Sequence, residues 1–457
     1  MSRIAFGLLG IWSVLTIATP ARAQRLQGGI IPEALAQRQG LHRNWALQIA
    51  MDPGRGRIEY VTLKHIKLED ETWQGLLLIQ TDQASLHVLD AETRRTLWVA
   101  QVGQRKYPTS APTCNAEFVV STNGGILYLF DRRDGRPIWE KQLESVPSAG
   151  AVIGGGRIYV PLVTGMVAGY RLPQSGDDRV PAEQVKIDHI LHYRGNGMAD
   201  SPPIYTEHNV VWGTIGGDVC AVTSDDMFGK FRFRTRKAIC APLAYSPPFI
   251  YAASRDGYVY GIRDERGRKR WQFAAGNPVV EQPVVIDDAL YVISETGDLF
   301  KLALDTGLEQ WSVHGVSRFV SASETKLYMV DMTGRLLILD ARTGARLGAI
   351  TTEHLPLEII NIETDRIYLG SPSGMIQCLR ERELVEPYRH TLAEPVVDGE
   401  EEGNKKDGAK PANAGNKEDK PDMPTDDEDN PFADKPAGGD DEMKDDGMDD
   451  EEMKDEE

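Results

Sequence analysis

Residues 295–311 read ETGDLFKLALDTGLEQW, and residues 123–139 read NGGILYLFDRRDGRPIW. Both stretches alternate apolar and polar residues, break at an Asp-Thr-Gly or Asp-Gly turn, and end on a tryptophan. Alternation with a period of two is typical of a half-buried β-strand, and Asp-Gly between two such runs is typical of a hairpin. A pattern repeated at this length predicts one structural unit that recurs along the chain.

The unit occurs eight times at nearly constant spacing. A small residue opens the most strongly alternating strand of each unit, and successive small residues are 37 to 41 positions apart, apart from one step of 52. These residues are Ala84, Gly125, Gly165, Gly217, Gly257, Gly297, Gly334 and Gly374. An insertion at about 173–186 accounts for the longer step. Fourteen positions further on, six of the eight units carry an aromatic residue, and Arg179 and Gly348 are the exceptions.

Each unit contains four short runs with strand character, such as 283–287, 289–294, 298–304 and 308–314. A single four-stranded sheet leaves two apolar faces and its edges exposed, so it is not stable alone. Sheets packed face to face around an axis bury those faces. The sequence therefore predicts an all-β fold, an eight-bladed β-propeller of four-stranded antiparallel blades over residues 57–393.

Two segments compete to close the ring. Residues 41–51, LHRNWALQIAM, look like a tryptophan-bearing fourth strand without its preceding three. We expect this segment, with Trp45, to pair with the final third strand at 375–382. The alternative is that 384–390 fills the position, since Tyr388 stands at the aromatic position of the last unit. Both fit the periodicity, and we favour the N-terminal strand.

The N-terminus has the pattern of a signal peptide. Arg3 precedes an apolar run of about 15 residues, and Ala21-Arg22-Ala23 provides the small residues that a signal peptidase recognises. The run is shorter than the roughly 20 residues that cross a bilayer. We therefore expect residues 1–23 to be a signal peptide and 24–56 an N-terminal segment. The mature protein is expected to be periplasmic or extracellular, without a transmembrane anchor.

Charge is concentrated in the C-terminal tail. Residues 394–457 contain 26 acidic and 8 basic residues, which accounts for the whole net charge of −18 and leaves 43 of each sign elsewhere. The tail has almost no apolar residues, so disorder is expected. Weak binding of cations or basic proteins and simple solubilisation are its two interpretations, and we favour the second. A neutral body does not predict nucleic-acid binding.

The chain contains four cysteines, and none are adjacent or arranged as C-x-x-C. In an oxidising compartment four cysteines allow three complete pairings, among which the sequence does not choose. We favour small buried residues in strands. The four are Cys114, Cys220, Cys240 and Cys378.

Three units carry a specific resemblance. LYLFDRRDGRPIW (127–139), LFKLALDTGLEQW (299–311) and LLILDARTGARLG (336–348) resemble the repeat of the pyrroloquinoline-quinone-type β-propeller family. The resemblance extends over about 57–390. It implies that the aromatic residues at the ends of the outer strands pack between adjacent blades. These inter-blade aromatics would be Trp45, Trp98, Trp139, Phe231, Trp271, Trp311 and Tyr388.

The family has an enzymatic and a non-enzymatic branch. Quinoprotein dehydrogenases hold the quinone and calcium on the propeller axis, commonly beneath two adjacent cysteines and above a tryptophan. This chain lacks adjacent cysteines, and after the predicted signal peptide only Trp73 and Trp212 lie outside the predicted inter-blade set. The expectation is therefore an exported scaffold that binds protein partners of the cell envelope, with no catalytic residue and no cofactor. The alternative is a dehydrogenase of alcohols or sugars that depends on pyrroloquinoline quinone and calcium.

The non-enzymatic branch includes a propeller lipoprotein that serves outer-membrane protein assembly. No cysteine follows the apolar run of this chain, so the lipid anchor of that protein does not carry over. The partner surface is expected on the face where the chain enters each blade, together with the insertion at 173–186.

Two acids mark the predicted mouth of the central channel. Asp200 and Glu281 lie 17 and 16 residues before the small residue of their units, near the start of an innermost strand. Clustered carboxylates are ligands for hard cations, so the pair is a candidate metal or substrate site. Solvated loop acids are the simpler interpretation, and we favour it; we therefore predict no metal site.

Overall fold

The computed structural model describes residues 29–391, apart from 53, 69, 174–186, 190–194 and 208. Within these residues the chain forms 31 strands and one short helix, and the strands assemble into eight sheets. Seven sheets have four strands in sequence order and one has three. The fold is an all-β, eight-bladed propeller, as the repeat predicts. The predicted signal peptide, the acidic tail, Arg179 and most of the insertion lie outside the described residues.

Blades 1 to 4 each consist of four consecutive antiparallel strands, numbered from the axis outward. Blade 1 contains β2 (Ile58–Lys67), β3 (Trp73–Thr81), β4 (Ser85–Asp90) and β5 (Thr96–Gln101). Blade 2 contains β6 (Thr113–Cys114), β7 (Phe118–Asn123), β8 (Ile126–Asp131) and β9 (Pro137–Gln142). Blade 3 contains β10 (Val152–Gly154), β11 (Arg157–Pro161), β12 (Val167–Arg171) and β13 (Ile187–His189). Blade 4 contains β14 (Ile204–Tyr205), β15 (Asn209–Gly213), β16 (Asp218–Thr223) and β17 (Gly229–Arg234).

Blades 5 to 7 follow the same order, and blade 8 combines both ends of the propeller. Blade 5 contains β18 (Ala244–Ser246), β19 (Phe249–Ala253), β20 (Tyr258–Arg263) and β21 (Lys269–Ala274). Blade 6 contains β22 (Val284–Ile286), β23 (Ala289–Ile293), β24 (Asp298–Ala303) and β25 (Glu309–His314). Blade 7 contains β26 (Val316–Ala322), β27 (Lys326–Asp331), β28 (Leu336–Asp340) and β29 (Arg346–Ile350). Blade 8 contains β30 (Ile367–Gly370), β31 (Met375–Glu381) and β1 (Leu41–Gln48), and helix α1 (Glu33–Arg38) precedes β1.

The N-terminal strand occupies the outer position of blade 8. β1 runs antiparallel to β31, with Leu41 opposite Glu381 and Gln48 opposite Met375. Leu357 adds an isolated bridge to Gly370 at the inner edge of the same sheet. Segment 384–390, the alternative for this position, lies elsewhere. The first and last parts of the propeller therefore share one sheet.

The hydrophobic core lies between the blades. Its buried apolar residues form eight clusters in the described residues, and each cluster joins two neighbouring blades. One cluster joins blade 8 to blade 1 through Trp45, Tyr368, Leu77 and Ile79, so the series is continuous around the ring. Burial of both faces of every sheet provides the stability that a single blade lacks.

The repeated small residue marks the turn between the second and third strands. Gly297 has φ +88° in this turn, a left-handed conformation that glycine adopts without steric cost. Ala84 takes the equivalent position in blade 1 with φ +57°.

Three outer-strand tryptophans, in blades 1, 5 and 8, connect their blade to the next by a hydrogen bond as well as by packing. The indole Nε1 of Trp98 donates to the carbonyl of Arg132 at 2.7 Å, and that of Trp271 donates to the carbonyl of Leu304 at 2.9 Å. Trp45 donates to the carbonyl of Ala91 at 2.9 Å and so repeats the contact across the ring closure. Each acceptor lies where the third strand of the next blade ends.

A glycine in the next blade makes room for several of these rings. A Cβ atom at Gly307 would overlap the ring of Trp271, and one at Gly267 would overlap that of Phe231. Likewise, a Cβ atom at Gly135 would overlap the ring of Trp98, and one at Gly344 would overlap that of Trp311. The Asp-Thr-Gly turn and the tryptophan of the repeat are therefore two halves of one inter-blade contact. Trp139 packs between blades 2 and 3, in a cluster with Ile158, Val160 and Tyr170.

Tyr388 does not belong to this set, and its assignment as an inter-blade aromatic is wrong. It follows blade 8 in a segment outside the sheets, where its ring packs edge-on against His390 at 5.3 Å. The outer aromatic position of blade 8 is taken by Trp45, because β1 provides the outer strand.

Blade 7 lacks an outer aromatic, and the N-terminal segment fills its place. A Cβ atom at Gly348 would overlap the side-chain oxygen of Gln39, at the end of α1. Ile31 and Ala36 are fully buried in the cluster that joins blades 7 and 8. Because position 348 has no aromatic side chain, it leaves space for the N-terminal segment, whose position the repeat does not predict.

All four cysteines are free. Cys114, Cys220 and Cys378 are buried in strands, whereas Cys240 is partly exposed and lies in the loop that leads into blade 5. Burial raises the pKa of the Cys114 thiol and of the Cys220 thiol to about 12.

Candidate partner-binding surface

The two ends of the ring are formed by different connections between strands. Because the four strands of a blade alternate in direction, the loops between blades and the turns between second and third strands lie at the same end, here called the entrance face. Backbone hydrogen bonds connect the two sets. The amide of Val163 donates to the carbonyl of Val146 at 3.0 Å, and that of Ile215 donates to the carbonyl of Met198 at 3.0 Å.

The entrance face contains a cavity of about 430 Å³ where the loops leading into blades 2, 3 and 4 meet the first strand of blade 1. Its walls mix apolar, hydroxyl and carboxylate groups. The lining residues include Tyr60, Thr109, Ser110, Val146, Ser148, Asp200 and Pro202. Such a wall offers both apolar contact area and hydrogen-bonding groups to a ligand.

Exposed apolar side chains line this cavity or lie on other loops and turns of the entrance face. Five of them lie on the entrance face of blades 1 to 4 and have 40 to 50% of their surface exposed: Tyr60, Tyr107, Val146, Val163 and Ile215. Single exposed apolar residues are ordinary, whereas a concentration of them around one cavity is typical of a binding surface.

Asp200 and Glu281 both lie on the entrance face, in loops that lead into different blades. Asp200 is exposed and lines the cavity. Glu281 is half-buried near Arg318 and Glu358, and Arg318 donates to the carbonyl of Pro356 at 2.8 Å. Burial and the charge of Glu358 raise the pKa of Glu281, which the charge of Arg318 opposes.

The described residues do not fit the metal and quinone of the dehydrogenase alternative. In this part of the chain no three His, Cys, Asp or Glu side chains are placed to hold a metal ion. Trp212 is fully buried in the cluster between blades 3 and 4, and Trp73 lies at the end opposite the entrance face. Neither ring lies on the axis, where it could support a quinone.

The opposite end is crossed by residues 384–391, here called the C-terminal strap. The strap exchanges backbone hydrogen bonds with residues 363–365 of blade 8, including the amide of Asp365 donating to the carbonyl of Tyr388. It then reaches blades 7 and 6, where His390 bonds the carbonyl of Ala322 at 2.9 Å and the carboxylate of Asp287 at 3.3 Å. The guanidinium of Arg389 lies 3.8 Å from the ring centroid of Trp73 in blade 1. The strap thus covers the axial end of four blades.

A buried arginine fixes the start of the strap. Arg366 is 1% exposed and contacts the carboxylates of Asp365 at 3.1 Å and Glu92 at 3.0 Å. Its remaining N–H groups donate to the carbonyls of Leu384 at 3.2 Å and Val385 at 2.6 Å. A guanidinium with five donors suits such a convergence of acceptors. The strap is therefore anchored at the end of the ring opposite the entrance face.

The exposed apolar residues of the entrance face were not predicted, although the repeat contains a signal for them. Two positions before the small residue of each unit, blades 1, 2, 5 and 6 carry a polar residue. Blades 3 and 4 carry Val163 and Ile215 at that position, and blade 7 carries Met332. An apolar residue at a turn position that is usually polar is the signal.

The fold and the repeat together define the class, a closed eight-bladed propeller of the pyrroloquinoline-quinone type. The family model described as outer membrane protein assembly factor BamB matches residues 71–240 and 209–363. The chain therefore belongs to this family. Within the described residues, no helix has the length and apolar content needed to cross a membrane.

Solved structures share the fold at low sequence identity. BamB from Moraxella catarrhalis matches with a TM-score of 0.58 and 18% identity, over 75% of this chain and 98% of that chain. The computationally designed protein Ika8 gives 0.57 and 14%, over 71% and 96%. The C-terminal WD40 domain of Sif2 gives 0.52 and 12%, over 74% and 98%. No curated protein matches the chain.

Proposed function

We propose that this protein is an exported, non-catalytic scaffold of the cell envelope that binds a partner protein through the entrance face of blades 1 to 4. The observation that carries the proposal is the set of exposed apolar side chains around the cavity. Membership of a family named for outer membrane protein assembly supports the location and the kind of role.

The physical basis of binding is burial of the apolar set. Tyr60 and Tyr107 provide large rings with few rotatable bonds, so ordering them on binding costs little entropy. The hydroxyl groups around the cavity, such as Ser148, and the carboxylate of Asp200 would fix the orientation of the partner. The entrance face is the better candidate because the strap covers the other end.

The proposal is tested by affinity capture from the cell envelope of the source cells. The double variant Tyr107→Ser, Val163→Ser removes two exposed apolar side chains from the entrance face. We expect it to lose the partner that the unchanged protein retains. The matched control is Leu308→Ser, Val385→Ser, which removes two exposed apolar side chains, 68% and 63% exposed, from the opposite end. The control should retain the partner.

Equal loss from both variants, or from neither, would contradict the assignment of the face. A separate experiment addresses the non-catalytic part of the proposal. The purified protein is mixed with pyrroloquinoline quinone and calcium, and reduction of an artificial dye is followed with alcohols and sugars. Stoichiometric binding of the quinone with turnover would overturn the scaffold function.

A further inference from the structure

The positive charge of the body is uneven, although its net charge is close to zero. Residues 229–237 and 266–273 contain nine lysines and arginines and no acid. We call these nine residues the basic rim. They are Lys230, Arg232, Arg234, Arg236, Lys237, Arg266, Arg268, Lys269 and Arg270. The basic rim lies on blades 4 and 5 and is separate from the cavity on the entrance face.

Strand geometry directs the basic rim outward. β17 is the outermost strand of blade 4, where Phe231 is buried while Lys230, Arg232 and Arg234 are exposed. β21 is the outermost strand of blade 5, and its first two residues, Lys269 and Arg270, are exposed. Side chains two residues apart on a strand point to the same side. Arg232 and Arg234 therefore project from the same side of β17, about 6.6 Å apart, whereas Lys230 lies at a register shift in the pairing with β16.

The two segments of the basic rim touch. Gly267, between Arg266 and Arg268 in the turn that precedes β21, packs directly on the ring of Phe231 in β17. The turn of blade 5 therefore lies against β17 on the side of Phe231, opposite to the side from which Arg232 and Arg234 project. The contact is the same inter-blade contact that the repeat makes elsewhere, so its geometry is fixed by the ring.

Most cations of the basic rim are free to bind an anion. Asp218 is fully buried and holds Arg234 at 2.8 Å and Arg232 at 3.7 Å, so one carboxylate serves two guanidinium groups. Arg266 pairs with the neighbouring Glu265 at 3.1 Å. The other six have no carboxylate within ion-pair distance among the described residues.

Protection of an open sheet edge does not account for this amount of charge. Single charges on an edge strand discourage pairing with other chains. The outer strands β5 and β25 contain no lysine or arginine, and β9 balances Glu140 with Lys141. The excess on β17 and β21 is specific to two adjacent blades.

We propose that the basic rim binds an extended acidic segment of a partner protein, which pairs as an additional strand along the outer edge of β17. β17 is hydrogen-bonded in its sheet to β16 alone, so its other edge offers unpaired backbone groups. An extended acidic peptide can pair with this edge as a further strand, and its charge is opposite to that of the basic rim. The site is independent of the entrance face.

The test measures binding of a fluorescent 12-residue peptide of alternating threonine and glutamate to the full chain, by anisotropy. The rim variant is Lys230→Gln, Arg268→Gln, Lys269→Gln, Arg270→Gln. Loss of four exposed charge contacts should raise the Kd about tenfold. The control variant removes four exposed bases elsewhere and should leave the Kd unchanged: Arg95→Gln, Arg105→Gln, Arg342→Gln and Lys106→Gln. Equal thermal melts of the two variants exclude a folding defect.

Two further probes separate the proposal from its rivals. A peptide of the same sequence N-methylated at alternate residues keeps its charge but loses the donors of an added strand, and it should bind much more weakly. Equal binding of the methylated peptide, or equal effects of the two variants, would overturn the proposal. So would rim-dependent binding of anionic lipid vesicles or of single-stranded DNA that exceeds binding of the peptide.

Discussion

At the scale of the residue, an outer-strand tryptophan such as Trp271 contributes to stability by joining two blades. Trp271 is 8% exposed, donates its N–H to the carbonyl of Leu304 and packs on Gly307 of the next blade. Trp271→Ala removes the packing and leaves a buried carbonyl without this donor. We expect a loss of about 3–5 kcal/mol in the free energy of unfolding, measured by urea denaturation.

Trp73 provides the matched control for this prediction. Its ring is 49% exposed and stacks under the guanidinium of Arg389. An exposed cation–π contact contributes about 0.5–1 kcal/mol, so Trp73→Ala should lower the stability only by that amount. Similar losses from the two substitutions would show that the inter-blade position has no special role.

Glu281 gives a pH-dependent prediction at the same scale. Burial and Glu358 raise its pKa in the folded protein, so its ionised form destabilises the fold relative to the unfolded chain. Glu281→Gln should therefore be more stable than the unchanged protein at neutral pH. The difference should disappear as the pH falls through the folded pKa to about pH 3, where the carboxyl group is protonated in both states. The thermal midpoints of both proteins at the two pH values measure the effect.

The opposite trend, a difference that grows on acidification, would show that the glutamate is stabilised by Arg318 more than it is opposed by burial. Asp200→Asn is the control, because the Asp200 side chain is exposed on the same face. We expect it to match the unchanged protein at both pH values.

Individual residues also show which contacts the repeat predicts and which it does not. The spacing located Trp98, Phe231 and Trp271, because the same contact recurs in most units of the repeat. It misassigned Tyr388, because a residue at the right distance from the small residue need not lie in a strand. The spacing could not identify Gln39, which occupies the space at Gly348, because that contact joins residues far apart in sequence.

At the scale of the element, the closing strand can be tested by a designed disulfide. His42 in β1 lies opposite Arg380 in β31, and both side chains are partly exposed. His42→Cys, Arg380→Cys should oxidise to a link between the N-terminal and C-terminal strands. The cross-linked chain would migrate differently on non-reducing gels and would unfold at a higher temperature.

An out-of-register pair provides the control. Gln48 lies opposite Met375, at the far end of the paired strands from Arg380. Gln48→Cys, Arg380→Cys should stay reduced, since the two Cα atoms are too far apart for a disulfide. Cross-linking of the control pair but not of the registered pair would contradict the closure by β1.

Arg366 holds the start of the strap in place, so its substitution tests the contribution of that contact. Arg366→Met leaves the buried carboxylate of Asp365 without its partner and frees the carbonyls of Leu384 and Val385. We expect a loss of about 3–5 kcal/mol in stability. Proteolysis within 384–391 should also become faster, because the strap loses its fixed start.

Arg342→Met, which removes an exposed arginine, is the control and should change neither quantity. A stable Arg366→Met variant with a protected strap would show that the remaining contacts, such as those of His390, hold the segment alone. The strap itself could not be read from the repeat, because it is held by one buried arginine and by backbone bonds rather than by a periodic pattern.

At the scale of the whole molecule, the closed ring follows from the sequence because every unit buries the same faces against its neighbours. The position of the binding surfaces does not follow, because it depends on the residues that differ between units. Net charge is one property of the whole chain that does not locate a binding surface. The body is close to neutral as a whole, yet blades 4 and 5 concentrate nine bases on their outer strands and on the adjoining turn and loop. The net charge of the whole body therefore does not show this local excess of bases.

The central claim is that a partner docks on the entrance face, and site-specific photo-crosslinking in the source cells tests it most directly. A photoreactive amino acid replaces Tyr107 on the entrance face or, as the control, Leu308 at the opposite end. The account predicts one discrete cross-linked product after irradiation of the Tyr107 variant and none from the Leu308 variant. A product from the Leu308 variant alone, or the same products from both, would contradict it.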